Sequence, residues 1–104
     1  GYHNDGVNIR ARLGATVQAS ESDVVVHASN KLQGYGNLVL IKHQNGWVTA
    51  YAHNDKILVR KGQQVARGQA VAEVGSTGRV DSPQLHFEMR KGSRAVDPTL
   101  YLKS

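Results

Sequence analysis

Side chains able to do chemistry recur at every second position between residues 84 and 90. An amide, an imidazole, a carboxylate and a guanidinium follow one another there, in the order Gln84, His86, Glu88 and Arg90. Imidazole and carboxylate groups can bind metals or transfer protons, whereas amide and guanidinium groups bind polar partners. A spacing of two residues places all four on one face of a β-strand. We expect them to form the floor of a site, although a plain solvent-facing strand would show the same alternation.

The intervening positions indicate how this strand is held. Leu85, Phe87 and Met89 alternate with the polar residues and therefore point to the opposite face. Such alternation is typical of a strand with one face in a core and the other face wet. Pro83 stands at the head of the stretch, where a strand tolerates proline. The sequence predicts a strand whose apolar face packs in the core and whose polar face lines a site.

The length and composition favour one domain, and we expect it to span residues 1–104. The chain contains no cysteine, which excludes disulfide bonds and cysteine-ligated zinc. No run is long and apolar enough to cross a bilayer as a helix, and no signal peptide is visible. Because patterned sequence begins at the first residues, we expect the chain to be a piece of a longer protein.

The charge balance is basic without being concentrated. Thirteen lysine and arginine residues against eight acidic residues give a formal net charge of +5, which favours anionic partners. The basic residues are scattered singly, and no arginine-rich block or aromatic–basic RNA-binding signature is present. The pattern argues against nucleic acid as a partner.

The elements that must position these residues are short strands. Eleven glycines, valine-rich segments and few helix signals predict an all-β sandwich or barrel. Asn45-Gly46 predicts a two-residue type I′ hairpin, since both turn positions need positive φ. The returning strand then alternates, which predicts one face formed by Trp47, Thr49, Tyr51 and His53. His27 and His43 have no ligand-spaced partner, so we interpret them as surface or strand-end histidines.

Six short motifs occur in a fixed order along the chain. They are Gly6-Val7-Asn8-Ile9, Gly34-Tyr35-Gly36-Asn37, Tyr51-Ala52-His53, Gly75-Ser76-Thr77-Gly78, Leu85-His86-Phe87-Glu88 and Val96-Asp97-Pro98. Together they resemble the LytM/lysostaphin-type peptidoglycan endopeptidase domain, over most of the chain. The resemblance implies an all-β, antiparallel β-sandwich of the duplicated hybrid motif type, with a groove across the large sheet. Within the family it is closest to the amidase activators of the NlpD, EnvC and DipM kind.

The family's zinc-ligand positions are altered in this chain. Active members of the family hold zinc through the His and Asp of a His-x-Gly-x-Asp stretch and through the second His of a His-Leu-His stretch. Position by position, the resemblance places Asn4 and Asn8 at the first two ligands, and His86 at the third. Catalytic zinc takes imidazole, thiolate or carboxylate ligands, and a neutral amide is a weak donor. We expect no metal and no other cofactor, although a shifted register could still bring His3 into a rebuilt metal site.

The positions that act on water in the family are only partly retained. His53 corresponds to the histidine of the Tyr-Ala-His motif, whereas Gln84 replaces the first histidine of the His-Leu-His pair. Without zinc the pKa of a bound water is not lowered to near 7, and glutamine cannot transfer the proton. The sequence therefore predicts a non-catalytic member of the family.

The resemblance implies a partner-binding role for the former active-site groove. Amidase activators bind N-acetylmuramoyl-L-alanine amidases, so we expect those enzymes as partners, with peptidoglycan as a possible second ligand. The expected location is the periplasm or cell envelope at the division site, in the C-terminal part of a longer envelope protein. The residues expected to form the groove are Asn4, Asn8, Tyr51, His53, Gln84, His86, Glu88 and Arg90.

Three other functions remain open at this stage. The domain could bind peptidoglycan without turnover, or it could be a residual zinc endopeptidase. A biotinyl, lipoyl or phosphoryl carrier has a similar hybrid barrel. A biotinyl or lipoyl carrier would show a modifiable lysine at a hairpin tip, flanked by methionine or acidic residues, and the chain has none.

Overall fold

The fold is built almost entirely from antiparallel strands. The computed structural model describes residues 6–91 and the backbone of residues 94–96. The strands in these ranges are β1 (Val7–Arg10), β2 (Thr16–Gln18), β3 (Asp23–Ser29), β4 (Asn37–Lys42), β5 (Trp47–Ile57), β6 (Gln64–Val65), β7 (Ala70–Val74), β8 (Gln84–Lys91) and β9 (Arg94–Val96). The described residues contain no α-helix and only one short 3-10 segment, Gln44–Gly46. The prediction of an all-β, antiparallel fold is confirmed.

Strand β5 connects two layers of sheet. The large layer runs in the order β1-β8-β5-β4-β3-β6, with β9 added to β8. The C-terminal half of β5 leaves this layer and pairs with β7, which in turn pairs with β2. A register shift between Asn54 and Lys56 marks this change of partner. Such an irregularity bends a strand and increases its twist, which allows one strand to serve two sheets.

The core lies between the two layers and is rich in valine. Tyr51 of β5 stands opposite Phe87 of β8, and their ring centroids are 5.5 Å apart. Leu85 and Met89 are partly buried against the same cluster, so the predicted inward face of β8 is confirmed. The remaining buried members are Val17, Ala19, Val25, Val39, Ile41, Val59, Val65, Val71, Ala72 and Val74.

The hairpin between β4 and β5 differs in part from the prediction. Asn45 and Gly46 both have positive φ, 63° and 78°, as the Asn-Gly dipeptide predicts. Strand pairing, however, places Ile41 opposite Thr49, and the N–H of His43 donates to the carbonyl of Trp47. The loop is therefore one residue longer than the predicted two-residue hairpin. A strict two-residue turn would have placed Ile41 opposite Ala50.

His43 follows the end of β4, as the strand-end prediction has it, but it is not a surface residue. It is buried, and its Nδ1 lies 2.7 Å from the carbonyl of Ser22 while its Nε2 lies 2.7 Å from Oγ1 of Thr49. Thr49 continues the chain of hydrogen bonds to the hydroxyl of Tyr51 at 2.8 Å. This internal polar chain satisfies the buried groups where the loop after β2 meets the sheet. His27, in contrast, is half-buried and bonds Oγ of Ser29 at 3.1 Å.

No helix in the described ranges is long and apolar enough to span a bilayer.

Candidate functional site

His86 lies on the polar face of β8, and its side chain bonds to the opening strand, β1. Antiparallel pairing places Asn8 directly opposite His86. Nδ1 of His86 lies 2.6 Å from Oδ1 of Asn8, and Nε2 lies 2.7 Å from Oε2 of Glu88. Nε2 donates to Glu88, because a carboxylate only accepts hydrogen bonds. The carboxamide of Asn8 can accept a hydrogen bond from Nδ1 through its oxygen or, if the amide group is flipped, donate one to Nδ1 through its nitrogen. Both ring nitrogens of His86 are therefore bonded within the protein.

Glu88 is the buried charge at the centre of this network. Its side chain is 2% exposed, and Oε1 accepts Nε of Arg90 at 2.9 Å and Nη2 of Arg90 at 2.7 Å. Burial acts to raise the pKa of Glu88, but hydrogen bonds from His86 and Arg90, and the Arg90 charge, outweigh it and lower the pKa. The carboxylate is therefore ionised at neutral pH, with both oxygens paired. We call Asn8, His86, Glu88 and Arg90 the polar network.

Gly6 allows the opening segment to pass close to the polar network. A Cβ atom added there would lie 2.7 Å from Cγ of Glu88 and would overlap the carbonyl oxygen of Phe87. The backbone also has φ of 120°, a conformation that favours glycine. Gly6 therefore lets the chain run close against β8. Asn8, two residues further on, then stands opposite His86 and bonds it through its carboxamide.

His53 enters the same site through an irregularity in β5. Its φ is 67°, which interrupts the alternation of the strand, and the residue is 7% exposed. The backbone N–H donates to the carbonyl of Tyr35 at 2.8 Å, and Nδ1 donates to the carbonyl of Thr77 at 2.8 Å. Burial lowers the pKa of His53, and the nearby His86 lowers it further, against the opposing effect of the Thr77 bond. A neutral ring with its proton on Nδ1 leaves Nε2 as a hydrogen-bond acceptor.

Two glycine-containing loops and the middle of β5 interlock to hold His53 in this conformation. A Cβ atom at Gly36 would lie 2.7 Å from the backbone nitrogen of Gly78 and would overlap Thr77. The hydroxyl of Thr77 donates to the carbonyl of Asn54 at 2.7 Å. Nδ2 of the fully buried Asn54 donates to the carbonyls of Asn37 and Tyr51, at 2.9 Å and 2.8 Å. The glycine motifs therefore build the wall of the site through close backbone contact rather than supplying its chemistry.

These elements enclose an open cleft of about 380 Å³ on the outer face of the large sheet. The rings of His53 and His86 both border it, tilted by 54° to each other, with centroids 5.9 Å apart. The cleft is lined by Asn8, Gln33, Gly34, Tyr35, His53, Arg79, Val80, Gln84, His86 and Glu88. The structure thus brings together five of the residues predicted for the groove, namely Asn8, His53, Gln84, His86 and Glu88.

The other three predicted groove residues are not among the described residues that line the cleft. Tyr51 was wrongly placed in the groove: it is 1% exposed, lies in the core, and bonds Thr49 and Ser20 through its hydroxyl. Strand alternation puts Tyr51 on the face of Phe87, and only the positive φ at residue 53 brings His53 to the cleft. Arg90 is not among the residues that line the cleft, but it is paired with Glu88, which is. Asn4 lies outside the described residues, as do His3 and the Asp97-Pro98 motif.

Tyr35 and Arg79 were missed as cleft residues. The Tyr35 ring lies 6.4 Å from the His86 ring, and burial, followed by the negative charge of Glu88, raises the pKa of its hydroxyl. Tyr35 was available from the sequence, because it stands inside the Gly34-Tyr35-Gly36-Asn37 motif. The backbone N–H of Arg79 donates to the carbonyl of Gly34 at 3.1 Å, which joins the two glycine-containing loops at the mouth of the cleft.

The described residues at the family's zinc positions do not fit a catalytic zinc ion. Two ligand atoms of a tetrahedral zinc are about 3.3 Å apart, given bonds of about 2.0–2.1 Å. Nδ1 of His86 and Oδ1 of Asn8 are 2.6 Å apart and are hydrogen-bonded to each other. Gln84, at the family's proton-transfer position, bonds the carbonyl of Ser82 at 3.2 Å. Within residues 6–91, no three His, Cys, Asp or Glu side chains are grouped as metal ligands.

The fold and the order of the motifs agree with a family model that matches residues 2–98 of the chain. The chain belongs to peptidase family M23. Among solved structures, the catalytic domain of the antimicrobial peptidase lysostaphin from Staphylococcus simulans superposes with a TM-score of 0.92 at 33% identity. The alignment covers 97% of this chain and 80% of the lysostaphin domain. The predicted LytM/lysostaphin-type fold is confirmed.

Similar curated proteins are named for roles in the envelope and in division. The chain is 50% identical to the lipoprotein NlpD/LppB homolog of Pseudomonas aeruginosa, with coverage of 98% of the chain and 34% of that protein. It is 47% identical to the cell division protein DipM of Caulobacter vibrioides, covering 98% and 18% respectively. It is 46% identical to the murein hydrolase activator NlpD of Escherichia coli, covering 95% and 26%. The chain thus spans about a third or less of the length of these relatives.

Proposed function

We propose that this chain is a non-catalytic M23 domain that binds N-acetylmuramoyl-L-alanine amidases and activates them. The activated amidases would split peptidoglycan at the division site of the bacterial envelope. The relatives named as a murein hydrolase activator, a cell division protein and a lipoprotein support this role and this location. The proposal makes the domain a regulator of hydrolysis rather than the hydrolase.

One observation carries the non-catalytic part of the proposal. Nδ1 of His86, the ring atom that faces the family's second ligand position, is hydrogen-bonded to the neutral carboxamide of Asn8, which is a weak zinc ligand. Without zinc, no hydroxide forms at neutral pH to attack a peptide bond. The amide of Gln84 cannot replace an imidazole in proton transfer. Asn8 and Gln84 thus support a domain without the zinc-bound nucleophile and without one proton carrier of the family's reaction.

The cleft retains groups that suit the capture of a partner. Nε2 of His53 can accept a hydrogen bond, the Gln84 side chain can donate and accept, and the Tyr35 ring offers a flat apolar surface. Grooves that once held an extended peptide can hold a partner segment through such contacts. A mismatched partner would bury these groups without hydrogen bonds, at about 1–3 kcal/mol each. The cleft would therefore select its partner by polar complementarity.

Release of dye from labelled peptidoglycan tests the proposal. Purified amidases are mixed with the chain, and we expect amidase activity to rise, while the chain alone releases no dye with or without added zinc. Gln84→Lys places a charge in the cleft and should raise the chain concentration needed for half-maximal activation at least about tenfold. Gln64→Lys, at the exposed position of β6 on the opposite edge of the large sheet, is the matched control and should activate normally.

Three outcomes would contradict the proposal. Zinc-dependent dye release by the chain alone would identify a residual endopeptidase. Sedimentation with intact peptidoglycan, without any effect on amidases, would identify a binding module instead. Equal activation by the Gln84→Lys and Gln64→Lys variants would place the activating surface outside the cleft.

A further inference from the structure

One arginine lines the cleft and two line a hollow next to it, and we call Arg10, Arg12 and Arg79 the arginine rim. Arg79 lines the cleft itself. Arg10 stands opposite Gln84 in the pairing of β1 with β8, on the same strand face as Asn8. Arg10 and Arg12 line a second hollow of about 500 Å³ with Ser82 and Pro83, the two residues that precede Gln84. The cleft and the second hollow therefore adjoin along residues 82–84.

No ion pair within residues 6–91 neutralises the charges of the arginine rim. All three side chains are exposed, and no carboxylate of residues 6–91 lies within 4.0 Å of their guanidinium groups. The ion pairs in that range all involve Glu88, which is paired with Arg90 and His86 on the floor of the cleft. The charges of Glu88 and Arg90 cancel each other, so the arginine rim leaves a positive potential at the mouth of the cleft.

We propose that the arginine rim binds carboxylates on an acidic segment of the protein that the cleft captures. This inference rests on the proposed function, which supplies a protein partner. Guanidinium groups bind carboxylates through paired, parallel hydrogen bonds, and they keep their charge at any physiological pH. A segment seated in the cleft can extend along residues 82–84 into the second hollow, where Arg10 and Arg12 meet its acidic side chains. The rim thus sets the orientation of the partner and increases the rate of encounter.

Two double charge-reversal variants distinguish an effect of the arginine rim from an effect of the net charge of the chain. Arg10→Glu/Arg12→Glu and Lys61→Glu/Arg67→Glu change the net charge equally, but Lys61 and Arg67 lie outside both the cleft and the second hollow. In the dye-release assay, the rim variant should need at least about ten times more chain for half-maximal activation at low salt. The difference should shrink as salt rises, because salt screens exposed charges. The Lys61→Glu/Arg67→Glu variant should activate like the wild type.

Further variants keep the test valid if charge reversal disturbs the fold. Arg10→Gln/Arg12→Gln removes the charges without adding repulsion, and Arg79→Gln tests the third member of the rim. Both should weaken activation in the same direction, with thermal unfolding curves close to that of the wild type, because the substituted side chains are exposed.

The outcomes distinguish this inference from the proposed function. A wild-type chain that activates no amidase overturns both. A wild-type chain that activates, together with rim variants that activate equally well, overturns only the rim inference. Rim variants that lose binding to purified peptidoglycan yet still activate amidases would assign the rim to cell-wall carboxylates, which also overturns it.

Discussion

Replacing Phe87 by alanine is expected to lower the free energy of unfolding by about 3–5 kcal/mol. Phe87 is 4% exposed and packs its ring against Tyr51 between the two layers of sheet. Its removal leaves a cavity that rigid neighbouring strands can only partly fill. Urea unfolding followed by the fluorescence of Trp47, the one tryptophan of the chain, gives the free energy directly.

The control for Phe87→Ala is the adjacent position on the other face of the strand. His86→Ala removes two hydrogen bonds at the cleft but leaves Glu88 bonded to Arg90, so we expect a loss of about 1–2 kcal/mol. Equal losses for the two variants would mean that the polar network contributes as much to stability as the core does. That result would contradict the assignment of the two faces of β8.

The second large effect is expected from Arg90→Met. Within the polar network, this change leaves His86 as the one partner of the buried Glu88 carboxylate. Removal of one partner from a buried ion pair is strongly destabilising, and we expect a loss of about 3 kcal/mol at pH 7. The same consideration makes Arg90 unsuitable for charge-reversal tests of binding, because its charge supports the fold.

A double variant and a pH series test this explanation. Arg90→Met combined with Glu88→Gln removes the unpaired charge, so the double variant should be more stable than Arg90→Met alone. The pKa of Glu88 is lowered from its ordinary value of 4.5, so its contribution to stability is present above pH 4.5 and is lost as the pH falls through the folded-state pKa. The difference between wild type and Arg90→Met should therefore shrink at acidic pH. A double variant less stable than Arg90→Met would contradict the account.

The strand that carries most of the site could be predicted from sequence because its alternation is strict. Gln84, His86 and Glu88 line the cleft, and Phe87 is buried, as a period of two requires. The same rule failed at Tyr51 and His53, which it placed on one face. The failure has a tertiary cause, since the positive φ of His53 is held by hydrogen bonds to Tyr35 and Thr77.

The local sequence pattern also could not predict contacts between segments that are distant along the chain. Asn8 and His86 are 78 positions apart, and their hydrogen bond depends on the pairing of β1 with β8. The resemblance identified both positions as ligand sites of the family but did not indicate that they bond each other. Similarly, Gly36 is recognisable as a motif residue, whereas its close contact with Thr77 and Gly78 appears only in the folded chain.

Site-specific photocrosslinking tests most directly the proposal that the cleft is the partner-binding surface. The photoreactive residue p-benzoylphenylalanine is introduced in place of Gln84 in the cleft and, as the control, in place of Gln64 on β6. After irradiation with an amidase that the chain activates, we expect a crosslinked product from position 84 and none from position 64. Crosslinking from position 64 but not from position 84 would contradict the claim and place the partner on the opposite edge of the sheet.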